Sequence, residues 1–424
     1  MVAIIKIKIL LYAGTCDIVG GDTKYFCNLV NSVEESESFN LIVAGDQNEP
    51  FQKRVKQWIR KGIGITYLPT RPILGKHSAF TPIDKLVSRT FFSRPLSKYF
   101  DLLVHLLFFG FLRDFVHNFF VFNRLFKENK DVQIFHCNSG NFPGRIAGIA
   151  GIFAARVNGC SKIIMTIHNE SGLIIDPMSY IYDLIVRSYC THLIPVSLNV
   201  EKSLLNKKRF KSYQINRISI GLDDRSRFLS EDLKPLDGAF RIIIVGNFEE
   251  RRKGHEPLFY ALSELVKTHP HVKLLIVGSG SSGRKATLNK LAEVLAIEAN
   301  LEWLGYLEDI DEVLLSSALL VVPSTGPEAI PYTIVEGLRA GKPIITSNMG
   351  GCSEAVVDNF NGFVLDPGNT KNMAAKLAEL ADDDDKLRVF GQNSRVLFLK
   401  KFDQKTKIKA HLDLYRISNS KTMH

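Results

Sequence analysis

Phe240-Arg241-Ile242-Ile243-Ile244-Val245-Gly246-Asn247-Phe248-Glu249-Glu250-Arg251-Arg252-Lys253-Gly254 is the stretch that decides the fold. Its apolar, β-branched run ends on glycine and predicts a buried strand. A charged loop follows, and a helix is expected near Pro257. The same order recurs along the chain. Ile4–Leu11, Leu41–Ala44, Val132–Phe135, Ile163–Ile167 and Leu193–Val196 read as strands in the first half. Val272–Val277, Leu319–Val322 and Ile344–Thr346 join Ile242–Val245 in the second. Runs of Ile, Leu and Val with few polar breaks suit parallel strands covered by helices on both faces. The pattern restarts at Phe240 after the polar stretch Asp223–Gly238. Two Rossmann-like α/β domains are therefore expected, residues 1–222 and 240–400, joined by a linker at 223–239. Ligands of such open sheets bind beyond the carboxyl ends of the strands.

A length of 424 residues accommodates two domains of ordinary size. Hydrophobic residues make up 45% and charged residues 23%, which excludes bulk disorder. The net charge of +10 favours anionic partners without choosing among them. Cys16, Cys27, Cys137, Cys160, Cys190 and Cys352 are scattered and form no CxxC pair. They argue against a disulfide framework or a zinc site and are read as reduced cytosolic thiols. Lys6 and Lys8 interrupt the apolar N-terminus, so Met1–Gly14 reads as a first strand rather than a signal peptide. Cytoplasmic placement is expected. Asn169-Glu170-Ser171 matches the glycosylation pattern by coincidence on that reading.

Lys98–Lys127 is dense in Phe and Leu but carries Asp101, His105, Arg113, Asp114, His117 and Asn118. These polar residues recur too often for a membrane span of about 20 apolar residues. Two readings stand: a core-buried helix, or a helix lying in the membrane plane. Arg71, Lys76, Lys85, Arg89 and Arg94 flank it, and residues 70–127 are the expected region of any peripheral membrane contact.

Pro323-Ser324-Thr325-Gly326-Pro327-Glu328-Ala329-Ile330-Pro331-Tyr332-Thr333-Ile334-Val335-Glu336 carries the clearest chemistry. A strand ends at Pro323, and a helix is expected from about Thr333 to Gly341. A helix N-terminus offers free N–H groups and partial positive charge to a diphosphate. Glu328 and Glu336 flank that point and can accept hydrogen bonds from vicinal hydroxyls. The bland alternative is a capping pair on a surface helix. The cluster Arg251-Arg252-Lys253 sits on a strand-to-helix loop, where it could neutralise a leaving diphosphate or simply be solvated. Gly278-Ser279-Gly280 is a weak partial glycine-loop match. Gly20-Gly21 follows the first strand and precedes a helix expected over Asp22–Val33. His168 ends the strand Ile163–Ile167, and His136 is a weaker candidate of the same kind. Asp309-Ile310-Asp311 lies in a helix-like stretch and reads as surface charge. Asp382–Asp385 reads as a solvated helix junction.

Together these motifs resemble the retaining GT-B glycosyltransferases of glycosyltransferase family 4. The resemblance is close in the second half. Glu328, seven residues and Glu336 match the family's glutamate pair. Gly246-Asn247 through Lys253-Gly254 matches its phosphate loop. Gly350-Gly351-Cys352-Ser353-Glu354, Asn361-Gly362-Phe363 and Asp366-Pro367-Gly368 look like further family positions. In the first half Gly20-Gly21, His168 and Val196-Ser197 match more loosely. The resemblance implies two facing Rossmann-like domains and a C-terminal helix, within 401–424, crossing back to the first; Leu412–Tyr415 is its candidate core. It implies transfer of a sugar from a nucleotide-sugar, UDP- or GDP-linked, with retention and with no metal. His168 and Glu328 would act on the sugar. Gly20, Gly21, Asn247, Arg252, Lys253, Tyr332, Thr333 and Glu336 would bind the donor, Glu336 through the ribose. The acceptor would be a glycan or lipid-linked sugar, as in surface polysaccharide assembly.

Three positions depart from the family. Asn247 replaces the usual arginine, Pro331 replaces a glycine and offers no N–H, and Ser219-Ile220-Gly221-Leu222-Asp223 lacks Pro-Asn. A nucleotide-sugar epimerase or an inactive homologue on the same fold are the alternatives. A nicotinamide oxidoreductase would need GxGxxG after the first strand and an acidic residue about 20 positions on, which Gly14 and Gly20-Gly21 do not supply. A nucleic-acid partner is not expected, because the aromatics concentrate in an apolar helix rather than among basic residues.

Overall fold

A computed structural model describes residues 6–14, 20–36, 38–70, 109–140, 142–170, 177–208, 210–225 and 240–416. The first domain holds six strands: β1 (Ile7–Ala13), β2 (Phe39–Asp46), β3 (Ile65–Leu68), β4 (Ile134–Ser139), β5 (Lys162–Ile167) and β6 (His192–Pro195). The second holds β7 (Arg241–Val245), β8 (Lys273–Val277), β9 (Leu301–Gly305), β10 (Leu319–Val322), β11 (Ile344–Ser347) and β12 (Gly362–Leu365). Every strand pairing among the described residues is parallel. The spatial orders are β3-β2-β1-β4-β5-β6 and β12-β11-β10-β7-β8-β9. The second is the first repeated, so each sheet reverses direction beside its founding strand, at β1/β4 and at β7/β10. Loops diverge at that switch point and leave a crevice. The two six-stranded sheets with their helices make the GT-B architecture of two Rossmann-like domains.

Helices α1 (Gly21–Glu34), α2 (Glu49–Trp58), α3 (Phe109–Glu128), α4 (Ile146–Val157), α5 (Pro177–Tyr189) and α6 (Leu198–Lys208) cover the first sheet. The second domain carries α7 (His255–Leu265), α8 (Ser282–Leu295), α9 (Asp311–Leu315), α10 (Tyr332–Arg339), α11 (Cys352–Ala355), α12 (Thr370–Ala381) and α13 (Asp384–Lys401). Helix α14 (Gln404–Arg416) ends the described chain and lies on the first domain. There His411 and Tyr415 pack against Tyr25, His136 and Phe39.

Strands buried on both faces read as continuous apolar runs, and β4, β5 and β10 are buried at every residue. One apolar cluster lies on the α3–α4 face of the first sheet and another on the α7–α12 face of the second. A third is shared between the domains, from Phe26 and Val30 to Ile334 and Leu338.

Helix α3 resolves part of the choice left by residues 98–127. Phe122, Leu125 and Phe126 are buried, as are Asp114 and Asn118. Phe115 and Phe119 pack on Phe153 of α4. Leu112, Val116 and Phe120, at four-residue spacing, remain exposed on the opposite stripe. The described helix is thus core-packed on one face and apolar on the other. Residues 71–108 and their basic side chains lie outside the described residues. No described helix is long and apolar enough to cross a membrane. The five described cysteines are buried free thiols; Cys16 lies outside the described residues.

Candidate active site

Three strand-to-helix loops of the second domain converge on Glu328. Strand β7 delivers Gly246–Gly254, β10 delivers Pro323–Pro331 and β11 delivers Asn348–Gly351. Arg251–Lys253 form a single 3-10 turn, after which Gly254 adopts φ 81° and starts α7. A Cβ at Gly254 would run into the Pro323 carbonyl, so glycine is required for the loops to touch. That contact brings Arg252 Nη1 to 2.5 Å and Lys253 Nζ to 2.6 Å from Glu328 Oε1. Gly351 N donates to the Glu328 carbonyl at 2.8 Å, which fixes the residue from below. The Glu328 side chain is only 10% exposed, so these charges interact in a partly desolvated setting.

Helix α10 starts two residues beyond the turn at Ile330. Pro331 is its N-cap, with φ −64° and no side-chain cap. The Ile334 amide already reaches the Pro331 carbonyl at 3.1 Å. The amides of Tyr332 and Thr333 precede any intrahelical acceptor and are donors for an anion. Proline at the cap therefore removes a donor one position earlier and leaves the next two in place.

The first domain closes over this helix. Gly20 is the N-cap of α1, its carbonyl accepting from Thr23 and Lys24. Gly21 lies under the Tyr332 ring so closely that an added Cβ would sit 2.8 Å from it. Lys24 Nζ pairs with Glu336 Oε1 at 2.6 Å across the cleft. Beside them, His168 follows β5 and is buried. Its Nε2 lies 2.8 Å from Asn138 Oδ1, and its ring meets Tyr25 edge-on at 4.8 Å. Burial lowers the His168 pKa to about 4, opposed in part by the Asp22 carboxylate. The imidazole is neutral at physiological pH. A recess lined by Tyr12, Asn138, Ser139, Gly140 and Arg145 lies beside it.

The site residues named from sequence thus fall into three groups. Glu328, Arg252 and Lys253 meet directly. Gly20, Gly21, Tyr332, Thr333 and Glu336 lie along the α1/α10 contact. His168 approaches from the end of β5. Asn247 lies on the same loop as Lys253, and its Oδ1 accepts the Glu249 amide at 2.9 Å. His136 is structural, held by Tyr415 Oη at 2.6 Å and Thr166 Oγ1 at 2.8 Å in full burial. Asp309 and Asp311 are more than surface charge. Both pair with Arg225, and Asp311 also pairs with Arg339 of α10, which ties the start of the linker to the second domain. Asp383 caps α13 through the Lys386 amide. Glycines 278 and 280 make room for the Gly246 carbonyl and the Phe248 ring.

Lys24, Asp22, Asn138 and the role of Glu354 were missed. Glu354 accepts the amides of Leu198 at 2.7 Å and Asn199 at 2.8 Å, capping α6 from the other domain. Ser197 Oγ takes the next amide, Val200. No local pattern announces a cap supplied from 155 residues away. Asn138 had a signal: it is a polar residue near the carboxyl end of a buried strand, paired in register with Thr166 two residues before His168.

Comparison with known proteins follows the same geometry. Residues 226–397 match the family model described as glycosyl transferases group 1. Phosphatidyl-myo-inositol mannosyltransferase of Mycolicibacterium smegmatis is 30% identical over 159 residues, 36% of this chain and 40% of that protein. The matches to the first curated relatives span 55%, 40% and 35% of those proteins' own lengths. Among solved structures, a glycosyltransferase from Rickettsia africae ESF-5 superposes with a TM-score of 0.75 at 18% identity, covering 99% of this chain and 100% of that one. Anabaena HepE in complex with UDP gives a TM-score of 0.70 at 17% identity, with 96% and 98% covered. Residues 226–397 thus resemble the glycosyl transferases group 1 family, and the chain that carries them has the GT-B fold.

Proposed function

We propose that the protein is a retaining, metal-independent glycosyltransferase that moves a sugar from a nucleotide-sugar to a glycan or lipid-linked acceptor. The observation that carries this reading is the N-terminus of α10, without a side-chain cap, at the end of the loop whose Glu328 pairs with Arg252 and Lys253. It supplies two free amides and two cations to a diphosphate, with a carboxylate beside them for a sugar. The solved HepE structure with UDP supports a uridine donor by analogy of fold. In this reading the bond from the anomeric carbon to the diphosphate oxygen breaks. An acceptor hydroxyl takes its place with the same anomeric configuration. Arg252, Lys253 and the Tyr332 and Thr333 amides stabilise the charge that develops on the departing diphosphate. Glu328 orients sugar hydroxyls. Glu336 binds the ribose, for which Lys24 must share or release it. His168 contacts the sugar as a neutral ring. The closed cleft keeps water from the donor.

The recess beside Tyr12 and Arg145 is the proposed acceptor side. The exposed stripe Leu112, Val116 and Phe120, with Arg113 and Arg124 beside it, supports a peripheral cytoplasmic membrane contact. Binding to anionic vesicles at low salt tests that contact, and retention in the supernatant removes it.

The donor site is tested by thermal stability with UDP, GDP and ADP in turn. A nucleotide at ~100 times its dissociation constant adds about 2.7 kcal/mol. One nucleotide should stabilise the protein, and the shift should vanish in Lys253→Ala and Glu336→Ala. Equal shifts in both variants would place the nucleotide elsewhere.

A further inference from the structure

We infer that Asn138 is a positioning residue that fixes which nitrogen of His168 carries the proton. The inference rests on the reading of His168 as facing the donor sugar. Asn138 lies in β4, is 4% exposed and is clamped at both ends of its amide. Its Nδ2 donates to the Asp22 carbonyl at 3.0 Å. A carbonyl can only accept, so this bond sets the amide orientation and turns Oδ1 toward His168. Oδ1 is itself only an acceptor. The His168 Nε2 at 2.8 Å must therefore hold the proton, and Nδ1 holds the lone pair. Nδ1 makes no hydrogen bond to any described residue. It is left as an acceptor for a hydroxyl, which is the chemistry of a sugar.

The same amide links His168 to the start of α1, where Gly21 lies under Tyr332. Movement of the α1 N-terminus against α10 would therefore be felt at His168 through Asn138. The charged and titratable groups around the ring are few. Asp22 and Tyr25 face it from α1, and His136 approaches from β4, with His411 of α14 beyond Tyr25. Burial keeps the ring neutral, so its tautomer rather than its charge is what Asn138 controls.

The test is the ¹⁵N spectrum of the histidine rings, with the His168 signals assigned by their loss in His168→Gln. The intact protein should show the Nε2–H tautomer from pH 8 down to about pH 5. Asn138→Leu should give a mixture of tautomers. Asn138→Asp, nearly the same in shape, should raise the His168 pKa by about 1–3 units, as an adjacent opposite charge does. Hydrolysis of UDP-glucose should fall about 10²-fold in Asn138→Leu. In Asn138→Asp it should decline toward acid with the new pKa. Stabilisation by UDP should be unchanged in both, which verifies that they fold. His168 ring signals that superimpose in all three proteins would overturn the inference and leave the transferase reading intact. No stabilisation by UDP and no hydrolysis in the intact protein would overturn that reading, while the ring spectra would still decide the role of Asn138.

Discussion

Glu328 is the residue on which the second domain's loops agree. Two cations from one loop and an amide from another hold it, and no single loop could place it alone. Its charge serves two purposes on the proposed reading: it orients the sugar, and it balances Arg252 and Lys253. Glu328→Gln keeps the shape and removes the charge. Hydrolysis of UDP-glucose should then fall by about 10²-fold. The dissociation constant for UDP, measured by calorimetry, should stay equal or decrease, because the two cations are freed for phosphate. A parallel loss of UDP affinity would assign Glu328 to the nucleotide instead. Lys253→Ala should do the reverse, weakening UDP strongly.

Helix α14 shows how the end of the chain is fastened back onto the first domain. Leu222 N donates to the Phe402 carbonyl and Gln404 N to the Leu222 carbonyl, both at 3.0 Å, which fastens its start to the last residue of that domain. At its far end Lys162 of β5 donates to the Leu414 carbonyl at 2.6 Å. Burial lowers that ammonium's pKa to about 8. Between these ends His411 accepts from Tyr25 Oη at 2.5 Å and donates through Nδ1 to the Lys407 carbonyl at 2.8 Å. Burial holds the His411 pKa down at about 4. The unfolded chain protonates this ring near pH 6.5, well before the folded one. Its stabilising contribution is thus complete above pH 6.5 and is lost as pH falls toward 4, at roughly 1.4 kcal/mol per pH unit. Melting temperature should decline from pH 7 to pH 5, and less steeply in His411→Gln. Equal slopes would mean that this ring is not buried neutral.

At the scale of the whole molecule, three separate contacts hold the domains together around the cleft. Lys24 pairs with Glu336, Glu354 caps α6, and Trp58 Nε1 donates to Glu308 at 3.0 Å while Arg54 stacks over Tyr306. Each joins polar groups that water could serve equally well in an open state. These contacts could therefore open and re-form, as the proposed transfer would require to admit donor and release product. The pair Lys24→Met and Glu354→Gln should raise the radius of gyration seen by small-angle X-ray scattering, and UDP should reduce it again. An unchanged radius would mean that the shared apolar cluster alone keeps the domains closed.

Much of the fold was legible in the chain because buried parallel strands leave a plain apolar signature. Leu319–Val322 is read at its observed bounds, and the helix after Pro331 within a residue of its start. Strands β3, β9 and β12 were not read. All three are edge strands; the first two carry exposed residues, and β12 begins with glycine and has only four residues. Glycine at 254, the glutamate pair and the basic turn are local patterns, so the residues proposed for the donor side could be picked out one by one. Tertiary structure alone decided the rest. It closed Asn247 Oδ1 on the Glu249 amide and buried His136 between Tyr415 and Thr166. It brought Lys24 to Glu336 across 312 positions and Glu354 to α6 across 155. Periodicity and turn chemistry act over a few residues and are written in order along the chain. A hydrogen bond between two domains depends on how two finished surfaces meet, and no neighbouring residue records that.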